Sequence, residues 1–204
     1  PIVQMLSADA QALCDQVLIR GISRLREQLP RLLPVLFGDR GGIGAKLWSG
    51  TPNDGPAVDA STAAPPPTIT RDPLLRFVPG EPACNVYSAG GQFKLHEDQQ
   101  ALTVLVVLSC QDAFKGGGTA FWSSEDRPPP ISPGVLVRTA AGPPTLVVKP
   151  PQGTAIIFGG DVTHAGQPVL DGERTVFVAS FSTKVTKPPE EAYSFQYRSR
   201  WSVP

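Results

Sequence analysis

The run Ala101-Leu-Thr-Val-Leu-Val-Val-Leu-Ser109 carries apolar side chains at odd and even positions alike. Alternate side chains of a strand point to opposite faces, so this run needs cover on both sides and belongs inside a packed sandwich. The chain around it has the same texture. Short apolar runs are punctuated by 20 glycines and 23 prolines, the pattern of an all-β sandwich or barrel and not of a helical bundle. Strands are expected at 74–78, 83–88, 92–96, 101–109, 119–122, 134–139, 145–149, 154–158 and 174–181, with turns at 128–133 and 142–144.

Ahead of the strands the period changes. Ala12, Leu13, Val17, Leu18, Ile22, Leu25 and Leu29 recur at three- and four-residue steps behind a Ser7 N-cap. This predicts an amphipathic helix from Ala8 to Leu29, stopped near Pro30 and modestly weakened by Gly21. Leu32 to Phe37 adds a short helical turn. The helix most simply covers one face of the β-domain, as support and not chemistry. Residues 38–68 lack periodicity and are rich in Ala, Pro, Thr and Asp, so they read as a disordered or surface-packed insertion, or as a lid over a site. Trp48 within them is a packing residue or a substrate platform.

At 204 residues, one substantial core with elaborations is expected. Eighteen basic and 18 acidic residues balance to zero without a block of like charge, so no nucleic-acid partner is expected. The three scattered cysteines, Cys14, Cys84 and Cys110, suit a reducing compartment better than a disulfide framework, which leans the location towards the intracellular. No apolar run reaches membrane-spanning length, and the N-terminus lacks the layout of a signal peptide. A start at Pro1 in place of methionine is expected of a portion excised from a longer protein.

The chemistry concentrates between Cys84 and Asp98. A strand at 85–88, a glycine turn at 89–91 and a second strand lead into His96-Glu97-Asp98, with His96 and Asp98 on one face and Glu97 on the other. An imidazole and a carboxylate on one face form two-thirds of a 2-His-1-carboxylate iron site. The one other histidine is His164, which follows the apolar strand 154–158 and Gly159-Gly160. His96 alone reads as an exposed or hydrogen-bonded histidine. Together, two imidazoles at the ends of buried strands each need a partner, and a shared metal supplies one. Arg174 adds an independent argument. It heads the row Arg174, Val176, Val178 and Ser180, while Thr175, Phe177, Ala179 and Phe181 take the other face. Neither face looks solvated, so the guanidinium needs an anion: a bound dicarboxylate, or Asp171 or Glu173 in a surface ion pair. A zinc site is chemically open, but a cysteine-free set beside an anion-binding arginine favours iron. Gly116-Gly117-Gly118 lacks the ending of a phosphate loop and reads as a tight turn, and no Ser-His-Asp arrangement is credible.

Three blocks carry a resemblance. Tyr87-Ser-Ala-Gly90-Gly-Gln-Phe93-Lys-Leu-His96-Glu-Asp98, Phe114-Lys-Gly116-Gly117-Gly118-Thr119-Ala-Phe121 and Pro150-Pro-Gln-Gly153-Thr-Ala155-Ile-Ile-Phe158 stand in this order, followed by His164 and Arg174. The chain so resembles the 2-oxoglutarate/iron(II)-dependent dioxygenases, and within them the prolyl 4-hydroxylase-like branch. The resemblance implies a mainly β double-stranded β-helix, or jelly-roll, at 80–184, packed by the N-terminal helix and loop of 1–79 and followed by a C-terminal extension at 185–204. It implies Fe(II) on His96, Asp98 and His164, and 2-oxoglutarate on Arg174 with a hydrogen bond from Tyr87. L-ascorbate is a further expected cofactor, and Trp122 either lines the substrate mouth or packs. The implied activity is hydroxylation of a substrate C–H bond with release of succinate and CO2, on a peptidyl proline. A free amino acid or small metabolite is the alternative substrate, and a non-catalytic jelly-roll binding module the alternative class. Departures are Arg174 where collagen-type members carry lysine, and Val176 where many relatives carry serine. Ser180 stands where the nucleic-acid demethylase branch has a second arginine.

Overall fold

A computed structural model of the chain describes residues 8–37, 48–49, 70–126 and 142–183. It opens with helix α1 (Ala8–Gln28) and the short α2 (Leu32–Phe37), as the periodicity predicts. Strands follow as β1 (Trp48–Ser49), β2 (Thr70–Arg71), β3 (Arg76–Phe77), β4 (Ala83–Tyr87), β5 (Phe93–His96), β6 (Leu102–Val107), β7 (Phe114–Gly116) and β8 (Thr119–Phe121). After them come β9 (Leu146–Val148), β10 (Ala155–Gly159), β11 (His164–Gly166), β12 (Val169–Gly172) and β13 (Arg174–Ser182). No helix among the described residues is long and apolar enough to cross a membrane.

Every pairing between these strands is antiparallel, and two sheets dominate. One runs β10-β6-β13, with β4 and β3 sharing the far edge of β13; the other runs β5-β11-β8-β9. The hairpin β7-β12 stands beside them. This is the mainly β, jelly-roll architecture expected above. The central strands β6 and β13 pair from Val176 opposite Val107 to Phe181 opposite Leu102. Their alternation divides the molecule. Leu102, Val104, Phe177, Ala179 and Phe181 face outward onto Leu18, Ile19, Ile22, Leu33 and Phe37, forming the main core between sheet and helices. Leu105, Val107 and Val176 face inward with Tyr87, Ile156 and Phe158.

The glycine that weakens α1 earns its place by proximity. A Cβ at Gly21 would lie 3.2 Å from Ile157 and 3.9 Å from Val104, so a bare backbone lets the helix settle on the sheet. Two departures from the sequence expectations are local. The strand expected at 74–78 shrinks to Arg76–Phe77, because the Asp72 carboxylate accepts the Leu74 N–H at 2.7 Å and its carbonyl accepts that of Leu75 at 2.9 Å, closing a turn. The short strands β7, β11 and β12 were not expected, being three or four residues long and containing glycine. The strand expected at 134–139, the turn at 128–133 and most of 38–68 lie outside the described residues.

Candidate metal centre

Strand register assembles the site. Antiparallel pairing of β11 with β5 sets His164 directly opposite His96, with their ring centres 4.2 Å apart. Asp98 lies two residues beyond His96 on the same side. Its Oδ1 is 3.3 Å from His96 Nε2 and its Oδ2 is 3.7 Å from His164 Nε2. One donor atom from each of the three falls within 4.8 Å of the others. His96 and His164 are buried and Asp98 nearly so.

The hydrogen bonds decide what these atoms present. His96 Nδ1 meets the carbonyl of Lys94 at 2.7 Å, and His164 Nδ1 meets that of Val162 at 2.9 Å. A carbonyl only accepts, so each Nδ1 carries a proton and each ring turns its Nε2 inward, where a neutral imidazole offers a lone pair. Burial, with His96 beside it, pushes His164 down to about 4, which keeps its ring neutral at pH 7. Burial alone would raise Asp98. The two imidazoles, His96 ahead of His164, and the hydroxyl of Thr103 outweigh it and hold the carboxyl at about 2. Thr103 Oγ1 donates to Asp98 Oδ2 at 2.5 Å and lies 3.1 Å from Ser180 Oγ. Two lone pairs and a carboxylate therefore converge, acceptors facing acceptors, and only a cation satisfies all three. Two imidazoles, one carboxylate and no thiolate suit ferrous iron with positions left open for other ligands.

The same cavity, about 110 Å³, is lined among others by Arg174, Tyr87, Thr119, Glu81, Asn85 and Val176. Arg174 is only 3% exposed. It donates to Thr119 Oγ1 at 3.2 Å, and its Cζ stands 5.9 Å from the centre of the Tyr87 ring, the residue paired with it in register. Burial lowers its affinity for its proton, and Tyr87 acts the other way. Among the described residues no carboxylate comes within ion-pair range of it. Of the two acids considered from sequence, Asp171 sits 3.5 Å from Lys115 on the surface and Glu173 is exposed. The guanidinium is thus a buried cation waiting for an anion. The glycine turn supports it: Gly117 has φ +61°, and a Cβ there would lie 3.1 Å from Arg174 Cδ and 2.9 Å from the Phe114 ring.

Of the residues singled out in the sequence, the structure brings His96, Asp98, His164, Arg174 and Tyr87 to one cavity. Trp122 is not among its lining residues. It is 7% exposed, packs with Leu95, Ala120 and Ala165, and donates its indole N–H to the Gly142 carbonyl at 3.3 Å. The sequence left Trp122 either to line the substrate mouth or to pack, and among the described residues it packs: the alternation of β8 turns Ala120 and Trp122 away from the cavity face of Thr119. Sequence reasoning missed Glu81, Asn85, Thr103 and Thr119. Thr119 had a signal, as the threonine of the second block, and Asn85 one, two residues before Tyr87; Glu81 and Thr103 arrive through tertiary pairing. Glu81 is pushed up to about 7 by burial and the nearby Asp98, against the opposing hydrogen bond from Ser180.

Comparison with curated proteins gives no match. Among solved structures the chain is similar to an oxidoreductase of the 2OG-Fe(II) oxygenase family from Burkholderia pseudomallei, at 22% identity over 50% of this chain and 41% of that one, with a TM-score of 0.36. It is also similar to Peruvianin-I, a cysteine peptidase from Thevetia peruviana latex (17% identity, 52% and 50% covered, TM-score 0.33). A third is an RmlC-like cupin protein from Desulfovibrio desulfuricans (14% identity, 52% and 79% covered, TM-score 0.28). The chain spans about two fifths of the first of these proteins. At such scores the architecture rests on the strand pairings above. The family model of the 2OG-Fe(II) oxygenase superfamily matches residues 82–181, which hold His96, Asp98, His164 and Arg174, and this segment belongs to that superfamily.

Proposed function

We propose that the chain is an Fe(II)- and 2-oxoglutarate-dependent dioxygenase that hydroxylates a C–H bond of a peptidyl residue, with proline as the leading substrate. The observation that carries this reading is the coexistence, in one cavity, of three converging acceptor groups and a buried guanidinium with no acidic partner among the described residues. His96, Asp98 and His164 would hold the iron. Arg174, steadied by Thr119, would bind the distal carboxylate of 2-oxoglutarate, with Tyr87 beside it. When bound, iron and 2-oxoglutarate supply the oxidising chemistry and release succinate and CO2. Leu105, Phe158 and Val176 line the walls and keep water from the reacting groups.

The peptidyl substrate, and the L-ascorbate requirement with it, draw their support from the three sequence blocks and their resemblance to the prolyl 4-hydroxylase-like branch. A second reading, hydroxylation of a free amino acid or small metabolite, draws on the small volume of the cavity. Succinate formation by the iron-loaded chain tests both. Stimulation by proline-rich peptides and not by free amino acids is expected; stimulation by amino acids alone would replace the first reading with the second.

A further inference from the structure

Two of the three acceptors at the centre are held by the sheet, and the third is not. His96 ends β5 and His164 opens β11, and each ring is fixed by the backbone carbonyl two residues before it. Asp98 lies in the loop between β5 and β6. Backbone bonds from Gln99 to the Gly160 carbonyl (2.8 Å) and from Ala101 to that of Phe181 (3.1 Å) hold the main chain of this loop. Neither sets the side-chain torsions of Asp98. Thr103 does. It sits in β6 opposite Ser180 of β13, is 1% exposed, and brings Oγ1 to 2.5 Å from Asp98 Oδ2 and 3.1 Å from Ser180 Oγ. A hydroxyl has one proton and an ionised carboxylate only accepts, so that proton goes to Asp98. Outside the two imidazoles, it is the one side-chain donor that reaches this carboxyl among the described residues. A β-branched side chain in a central strand is stiff at χ1, so the donor is a fixed point, and a bond from it to one oxygen sets the direction of the other. Thr103 also interrupts a run that is otherwise hydrocarbon from Leu102 to Val107, where packing alone does not call for a hydroxyl.

We propose that Thr103 is a positioning residue of the metal centre, its hydroxyl orienting the loop-borne carboxylate of Asp98 towards the two Nε2 atoms. The inference rests on the metal-site reading above and deepens it. Two effects of the hydroxyl have opposite signs. As a donor it draws charge from the carboxylate, so its loss by this effect alone would tighten the hold on a cation. As an anchor it keeps the carboxylate in the ligating rotamer, so its loss loosens that hold. Loosening by about tenfold or more is expected, the scale on which lost outer partners weaken metal sites.

The test is an equilibrium titration of the full chain with Co(II), without 2-oxoglutarate or substrate, followed by the ligand-field absorption of the bound ion. Co(II) takes nitrogen and oxygen sites of this kind at least as well as Fe(II). Thr103→Val keeps the shape of the side chain and removes the donor, whereas Thr103→Ser keeps the donor. Thr103→Val is expected to bind Co(II) about tenfold or more weakly than the parent chain, and Thr103→Ser to stay within about threefold of it. A purely structural hydroxyl would lower the melting temperature of metal-free Thr103→Val and leave the affinity of the folded chain unmoved, so each titration is made where circular dichroism shows the variant folded. An affinity of Thr103→Val close to the parent's, or tighter, overturns the proposal, as does equal weakening in Thr103→Ser. A parent chain that binds no Co(II) defeats the underlying metal-site reading, and this inference with it. Should Thr103→Val not fold, Thr103→Ala, which removes the hydroxyl without setting a methyl against the carboxylate, replaces it under the same criteria.

Discussion

His96 and His164 have their outer nitrogens already committed to backbone carbonyls, so each has only Nε2 left to use. His96→Ala, Asp98→Ala and His164→Ala are each expected to abolish iron-dependent turnover and to weaken iron binding by roughly 100-fold or more, as read by equilibrium titration. Arg174→Ala should chiefly raise the 2-oxoglutarate concentration needed for half-maximal succinate formation, by tenfold or more, since a lost charge-assisted pair costs about 1.5–3 kcal/mol. The titrating groups make a prediction for the metal-free chain. His164 drops from 6.5 to about 4 on folding, so the unfolded chain binds the extra proton between those values and stability falls as pH falls through them. Glu81 rises from 4.5 to about 7, so its contribution is full below 4.5 and fades as pH rises to 7. The two slopes oppose one another in the shared window. Glu81→Gln should therefore expose a melting temperature that declines on acidification from pH ~6.5 to ~4.5 more steeply than in the parent chain; an unchanged slope would refute the assignment. The histidines, Asp98 and Arg174 could be picked out from sequence because each sits in a local pattern, a His-X-Asp step or an apolar row. Glu81 and Thr103 could not, since their roles depend on which strands β13 and β6 meet.

At the scale of elements, the register of β11 on β5 makes the site, and this is what the sequence withheld. His164 read as lying just beyond a strand; it opens a three-residue strand of its own, too short for any alternation to register. The long strands were legible because β6 and β13 are apolar on both faces, and α1 because its period is unbroken. Their packing is testable. Phe181 is fully buried, 6.0 Å from the Phe37 ring and 5.6 Å from that of Phe77 by ring centres, so Phe181→Ala should destabilise the chain by about 3–5 kcal/mol in denaturant unfolding. Gly21→Leu should cost about 1–3 kcal/mol despite leucine's better helix propensity, because the side chain would meet Ile157. A stabilised Gly21→Leu would mean that α1 does not lie where described.

The whole molecule is a sandwich with a division of labour across one sheet. The outward face of β6 and β13 takes the helices and carries the main core, which leaves the inward face free to bear Thr103, Arg174, Val176 and Val178 towards the cavity. A cavity so lined has two charge needs, a cation among the acceptors and an anion at Arg174. Ferrous iron and 2-oxoglutarate should thus each stabilise the fold, iron more strongly, with melting temperatures rising as either is added. The most direct measurement is an anaerobic Fe(II) titration of the parent chain and of His164→Ala, with 2-oxoglutarate present. One ferrous ion per parent chain, with the iron–2-oxoglutarate absorption appearing in step and both lost in His164→Ala, is the predicted result. Undiminished iron and 2-oxoglutarate binding by His164→Ala would contradict it.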